Sequence, residues 1–350
     1  MQTNLRAGMF GACLLAAIPV AAAEPAPVEQ LERYEFFQIQ MGTPFKITLY
    51  SPDEDTANTA SRAAFRRVKQ LNAIFSDYDP DSETSQFCRR SGPGKPVALG
   101  SEMQHVLTRA IAVSQASEGA FDVTVGPVVK LWRKARRKQR LPDASELAAA
   151  RQLVGYQLVR IDAAAGTGEL LKPGMQLDFG GIVQGYAADE ALAVLRRHSI
   201  KRALIDASGD VVAGDPPPGR NGWTIGIGAL TKPDEPPTHF LSLKNAAVAT
   251  SGDAYQALEI DGVRYSHIVD PKTGVGLTRR SSVTVVAADG ITVDGLSTAV
   301  SVLGPERGLQ LIERTKGADA LCVELHDGKP REFRSRNFGA YEVQQPVEAR

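Results

Sequence analysis

The stretch LDFGGIVQGYAADEAL, Leu177–Leu192, decides how this chain is read. A short apolar run ends at Asp178, and the glycine pair Gly180–Gly181 follows. Ala188, Ala191, Leu192 and Leu195 then recur at i, i+3, i+4 and i+7, the spacing of one helix face. The pattern predicts a strand, a glycine-rich turn and a helix. Glycines let a backbone pass close to a ligand with no Cβ in the way. A helix starting there aims free N–H groups and its positive end at the turn, a place suited to phosphate. Asp189 and Glu190 in the first turns and Arg196 and Arg197 in the last suit the helix dipole. The stretch is neither a P-loop nor a G-x-G-x-x-G dinucleotide turn. An ordinary tight turn would read the same way, so the rest of the chain has to decide.

Length 350, hydrophobic content of 43% and formal net charge +0 fit a soluble globular protein. They exclude a general nucleic-acid binder, which needs a basic excess. Arg6, the apolar run Ala7–Val20 and Ala21-Ala22-Ala23 have the order of a secretory signal peptide. Residues 1–23 are therefore expected to be removed, leaving a periplasmic protein whose tethering to a membrane stays open. The apolar run is too short to span a bilayer. The rest reads as one domain, 24–340, with a C-terminal tail, 341–350. The mature chain keeps Cys88 and Cys322, which leave pairing open and cannot build a metal site alone.

Phe36–Met41 and Phe45–Tyr50 predict a hairpin around Gly42-Thr43-Pro44. Phe65, Val68, Leu71 and Phe75 then mark one side of a helix. FSDYDPDSETSQF, Phe75–Phe87, is dense in Asp and Ser and predicts a loop. Solvation explains such a loop; a ligand loop is the alternative, since Tyr78 could stack on a flat ring. Met103, Val106, Leu107, Ala110 and Ile111 mark a second amphipathic helix. EGAFDVTVGPVVKLW, Glu118–Trp132, predicts a β-rich segment running into a Gly-Pro turn. The basic run Arg133–Arg140 reads as a solvated surface. A helix over 143–152 and a strand or hairpin over 157–178 lead into the glycine stretch.

Beyond it, Arg202–Ser208 predicts a strand entering the turn Ser208-Gly209-Asp210. Strands over 223–229 and 239–250 follow, then two polar turns, ATSGD (Ala249–Asp253) and YSHIVDPKTG (Tyr265–Gly274). His267 lies in the second, among hydroxyls and a carboxylate, where proton transfer is plausible chemistry. Val293–Leu303 predicts a helix with an apolar stripe of Leu296, Ala299, Val300 and Leu303. Asp294, Thr298 and Ser301 share the opposite face. That face is either solvated or a hard-cation site, because Asp294 and Thr298 present oxygens one turn apart.

Taken together, MGTPF, FSDYDPDSETSQF, GAFDVTVGPVVKLW, LDFGGIVQGYAADEAL, DASGD, ATSGD, YSHIVDPKTG and TVDGLSTAVSVLG resemble the ApbE family, the FAD:protein FMN transferases. The motifs stand in the family's order over roughly residues 36–320. The resemblance implies an α+β fold, with mixed twisted sheets and packed helices around a central flavin cleft. It implies an enzyme that takes FAD as substrate, needs Mg2+, moves FMN onto a Thr or Ser hydroxyl of a partner protein and releases AMP. The partners it implies are exported or membrane-attached redox proteins, such as subunits of sodium-pumping or electron-transfer complexes. The flavin contacts it implies are Met41, Tyr78 and Ala120-Phe121-Asp122, with Asp178 on the nucleotide. The metal ligands would be the Gly181 carbonyl, Asp294 and Thr298. His267 would sit beside the pyrophosphate, as a base or a flavin contact. Gln184 departs from the family's GxIAKGY pattern, where a lysine stands; glutamine keeps a hydrogen bond and loses a charge. Two other readings stay open: an FAD pyrophosphatase with water as acceptor, and a non-catalytic FAD-binding protein.

Overall fold

The computed structural model describes residues 30–345, except 229, 231–235 and 253–256. The expected signal peptide, Asp253 and residues 346–350 lie outside the described residues. The first hairpin forms, with its turn at Met41-Gly42 rather than Gly42-Thr43-Pro44, because Thr43 and Pro44 already pair: β1 (Glu32–Gln40) runs antiparallel to β2 (Thr43–Ser51). Met41 and Gly42 connect them at φ 51 and 75, the two positive values that a two-residue turn requires. Asp53 caps α1 (Glu54–Phe75), accepting from Thr56 N at 2.7 Å, and Phe65, Val68, Leu71 and Phe75 are buried.

The expected loop Phe75–Phe87 is shorter than its polarity suggests. Ser82 accepts from Ser85 N at 3.0 Å and starts α2 (Glu83–Arg90), which buries Phe87. A serine before a glutamate is a helix start as well as loop chemistry. After β3 (Val97–Ala98) comes α3 (Ser101–Ala116). Gly126-Pro127 then opens α4 (Gly126–Lys138) where a turn after a β-rich segment was expected. Proline suits the first helical turn, where its missing N–H costs nothing. α5 (Ala144–Arg151), β4 (Val159–Asp162) and β5 (Thr167–Leu170) follow.

No strand precedes the glycine pair. Leu177 N donates to Cys88 Sγ at 3.3 Å and Asp178 N to Val123 O at 2.8 Å, leaving one isolated bridge, Val125–Gln176. The helix does form, as α6 (Val183–Arg197). It starts early enough that Asp189 and Glu190 fall after its first turn, while Arg196 and Arg197 do end it. β6 (Ala203–Ala207), β7 (Asp210–Ala213), β8 (Trp223–Ile227), β9 (His239–Leu243) and β10 (Ala246–Gly252) come next. Ala249–Gly252, read as a turn, is thus strand. β11 (Ala257–Ile260), β12 (Val263–Ser266), β13 (Ser281–Ala287), α7 (Gly290–Leu303), α8 (Pro305–Arg314), β14 (Asp319–His326) and β15 (Lys329–Arg334) complete most of the chain. The tail begins later than residue 341, because β16 (Glu342–Val343) pairs with β9.

The architecture is α+β. The main sheet has the order β1-β2-β6-β7-β10-β13-β14-β15, antiparallel at every step. The larger core joins this sheet to α1, α3, α6, α7 and α8. A smaller core around Trp223, Leu241, Val248 and Phe338 joins it to the sheet β16-β9-β8. Arg67 of α1 bridges Glu190 of α6 at 2.8 Å and Glu102 of α3 at 2.5 Å, tying three helices at a partly buried node. Cys88 and Cys322 are both free thiols. No helix among the described residues is long and apolar enough to cross a membrane.

Candidate active site

α6 and α7 cross at two glycines. A Cβ built on Gly185 would lie 2.0 Å from Gly290 O, and one on Gly290 would lie 2.3 Å from Gly185 O. Only hydrogen fits at either position, so the close crossing needs both glycines. Asp189 of α6 ties the crossing, accepting from Gly290 N at 2.7 Å and Ile291 N at 3.0 Å. Gly185→Ala is therefore expected to cost about 3 kcal/mol of stability, because packed helices resist even one added methyl. A urea titration of the variant checks this, and an unchanged midpoint would mean that the helices part freely.

The crossing carries Asp294 to the start of α6. Gly185 N donates to Asp294 Oδ2 at 3.1 Å, and the Gln184 backbone also supports the carboxylate. The positive end of α6, expected to face phosphate, is thus partly taken up by Asp294. Asp294 is 4% exposed, so the solvated-face reading of its helix fails. Burial pushes its carboxyl up to about 7, and Asp189 adds to the rise. Asp210 of β7 is raised as well, by burial and then by Asp294 and Asp206. Thr298 stands one turn along α7, and a Cβ on Gly181 would come within 2.9 Å of its Oγ1. Asp294, Thr298 and the Gly181 backbone thus line one cleft and offer it oxygen donors. Among the described residues no three His, Cys, Asp or Glu side chains gather as a metal site. A hard cation that keeps water and phosphate oxygens needs few protein ligands, and these donors fit one.

The same place opens into a cleft of about 990 Å³. All eleven residues singled out in the sequence line it: Met41, Tyr78, Ala120, Phe121, Asp122, Asp178, Gly181, Gln184, His267, Asp294 and Thr298. Their local settings differ. Asp122 spends its carboxylate on the fold, accepting from Thr124 N at 2.9 Å and Tyr156 N at 2.9 Å. Gln184 Nε2 donates to Thr43 Oγ1 at 3.3 Å, which joins α6 to the Met41–Thr43 turn. Asp178 Oδ1 accepts from Gly180 N at 2.8 Å.

Three cleft residues escaped the reading of the sequence. Arg133, assigned to a solvated run, is 17% exposed and donates to Asp77 and, at 3.0 Å, to Asp178 Oδ2. Its guanidinium lies 4.2 Å from the ring centre of Tyr78, a residue 74% exposed overall. Burial and Asp77 raise the Asp178 carboxyl, and Arg133 opposes them. Arg136 lines the cleft too, at i+3 from Arg133. Helical spacing of Val129, Arg133 and Arg136 was the available signal, masked by the expected turn at Gly126-Pro127. Asp210 was quoted within DASGD without a role, and it lines the same cleft.

A family model described as the ApbE family matches residues 41–322. This chain belongs to the ApbE family. Two relatives named FAD:protein FMN transferase place it further within ApbE. The Vibrio cholerae protein is 31% identical over 85% of this chain and 89% of its own. The Haemophilus influenzae protein is 31% identical over 75% and 77%. Among solved structures, the flavin transferase ApbE from Vibrio cholerae superposes with a TM-score of 0.81, at 29% identity over 89% of this chain and all of that one. The ApbE protein of Thermotoga maritima gives 0.80 at 31% identity, with the same coverage. The α+β fold of the ApbE enzymes is therefore the fold of this chain.

Proposed function

We infer that this ApbE-family enzyme is an FAD:protein FMN transferase, and we propose that it moves FMN from FAD to a Thr or Ser hydroxyl of a partner protein, releasing AMP. The observation that carries this reading is the convergence of eleven residues, drawn from Met41 to Thr298, on one cleft of dinucleotide size. In the proposed reaction the acceptor oxygen bonds to the phosphorus nearest the flavin. The pyrophosphate P–O bond breaks, AMP leaves, and the hydroxyl proton passes to His267. Magnesium, held by Asp294, Thr298 and the Gly181 carbonyl, would neutralise the pyrophosphate oxygens when bound. Tyr78 offers a ring face for the flavin, backed by Arg133. Asp178, fixed by Arg133 and Gly180 N, is oriented for the nucleotide. Positioning and charge supply most of such a rate.

The test is to mix the protein with FAD, magnesium and the apo form of a candidate exported flavoprotein, then weigh that flavoprotein. A mass gain of one FMN with release of AMP is expected. AMP that appears equally without acceptor would favour the pyrophosphatase, and FAD binding with no AMP at all would favour a carrier.

Gln184 gives a finer test. A charge-assisted hydrogen bond is roughly twice as strong as a neutral one. Gln184→Lys is expected to gain about 1–2 kcal/mol of phosphate stabilisation, on the order of tenfold in FAD affinity or transfer rate. The gain should shrink as salt rises. Calorimetric titration of both forms with FAD at two salt concentrations measures it. Equal affinities and rates would mean that the Arg133 and Arg136 side of the cleft already supplies the charge, or that residue 184 does not face phosphate.

A further inference from the structure

The main sheet has two edges, and they are built differently. The outer strand β15 carries Lys329, Pro330, Arg331, Glu332 and Arg334. Charge and proline are the usual guards against pairing with another chain. β1, the other edge, is guarded only at its far end, where Glu32, Arg33 and Glu35 stand and Glu35 meets Lys46 at 2.9 Å. Its second half, Phe36–Gln40, has no charge. Phe37 and Ile39 are 62% and 63% exposed there, and they point to the same side. Ile39 pairs with Pro44, which is also exposed.

The bare half lies next to the cleft. β1 runs directly into Met41, and Met41 and Thr43 line the cleft. The register also leads there across the sheet. Phe37 stands opposite Lys46, and Lys46 opposite Asp206, which lines the cleft. Opposite residues share a face, so the apolar surface and the cleft wall lie on one side of the sheet, about 10 Å apart at two strand spacings.

We propose that the acceptor polypeptide docks here as an added strand along Phe36–Gln40, with alternate apolar side chains over Phe37, Ile39 and Pro44. The proposal rests on the transferase reading above. That reading requires a macromolecule to bring a hydroxyl to the cleft, and of the main sheet's two edges β1 is the one that runs into the cleft lining. β8, an edge of the smaller sheet, also lines the cleft, but it carries no exposed large apolar side chain as β1 does. Main-chain bonds to the edge supply affinity and alternate side chains supply selectivity. The favoured acceptor segment is extended and apolar at alternate positions. Its Thr or Ser lies just past the paired part, at the Met41–Gly42 turn.

The test uses the apo form of a redox subunit from a sodium-pumping complex as acceptor. Phe37→Asp and Ile39→Lys, made singly and together, should raise the acceptor KM roughly tenfold or more in the double variant. FAD affinity should stay unchanged in all three. In the wild-type protein, acceptor should slow amide exchange of Phe36–Gln40 and leave β15 as it was. Transfer by the wild-type protein with an unchanged KM in the double variant would overturn the docking site alone. So would transfer without protection of Phe36–Gln40. A wild-type protein that binds FAD and never labels the acceptor would overturn the transferase reading, and the docking site with it.

Discussion

Asp294→Ala is expected to lower magnesium-dependent turnover roughly 1000-fold while the fold survives. Asp294 is the one carboxylate among the three proposed magnesium ligands, beside Thr298 and the Gly181 carbonyl, and all three residues line the cleft. A cation on the pyrophosphate supplies several kcal/mol of charge stabilisation, and about 4 kcal/mol corresponds to that factor. Turnover measured across a magnesium titration checks the loss, and an unchanged curve would leave Asp294 as a helix tie only. The same carboxyl sets a pH dependence. Burial raises it to about 7 in the metal-free protein, so proton and cation compete below that value. Magnesium affinity should fall as pH drops through about 7, up to tenfold per unit.

The stability effect has the opposite sign. A carboxyl raised above its unfolded value stabilises the fold when protonated, and that contribution is lost as pH rises through about 7. The metal-free wild-type protein should therefore lose stability as pH rises from about 4 to about 7 and level off above that, and magnesium should restore it. Asp294→Asn keeps the shape and removes the titration, so its unfolding temperature should change less over the same interval. Asp294→Asn should thus hold its metal-free fold better than the wild type at pH 8. A parallel pH response in both forms would assign the effect to Asp210 or another carboxyl.

Sequence patterning reached the candidate cleft because its lining is made from motifs. LDFGGIVQGY, YSHIVDPKTG and TVDGLST each bring a residue type whose chemistry is visible one at a time. The helix face at Ala188, Ala191, Leu192 and Leu195 and the hairpin of Phe36–Met41 with Phe45–Tyr50 follow from local spacing, and both form, the turn falling at Met41–Gly42 instead of Gly42-Thr43-Pro44. What stayed hidden depends on residues far apart in the chain. Gly185 is needed because Gly290 lies against it, a contact across 105 residues that no local pattern records. Arg133 looked solvated because five other basic residues share its run; its partners, Asp77 and Asp178, are distant in sequence. Asp122 looked like a ligand residue, and its carboxylate is spent on Thr124 and Tyr156 backbone. Polarity marks where a group is wanted and leaves open whether a ligand or the chain itself takes it.

His267→Ala should divide binding from chemistry. His267 lines the cleft at the end of β12, on a turn held from several sides. Ser266 N donates to Leu277 O at 2.7 Å, Leu277 N to Ile268 O at 2.9 Å, and Ile268 N to Ser266 Oγ at 3.1 Å. α4 braces the same turn: Trp132 Nε1 donates to Gly274 O at 2.7 Å, and the Trp132 and Tyr265 rings lie 5.3 Å apart. A side chain on such a frame is placed by backbone bonds that its own removal does not touch. The variant should therefore keep the turn and the cleft. If His267 takes the acceptor's proton, its loss falls on the transition state, and transfer should drop about 1000-fold with FAD affinity nearly unchanged. Raising the pH should restore part of the rate, because hydroxide and buffer bases replace a missing side-chain base. Single-turnover transfer at saturating FAD, read beside an FAD titration, separates the two effects. A weaker FAD affinity with an unchanged saturated rate would make His267 a binding residue. The proton would then have to leave by another route, and Asp210 is a buried carboxylate of this cleft whose raised affinity for protons would suit it.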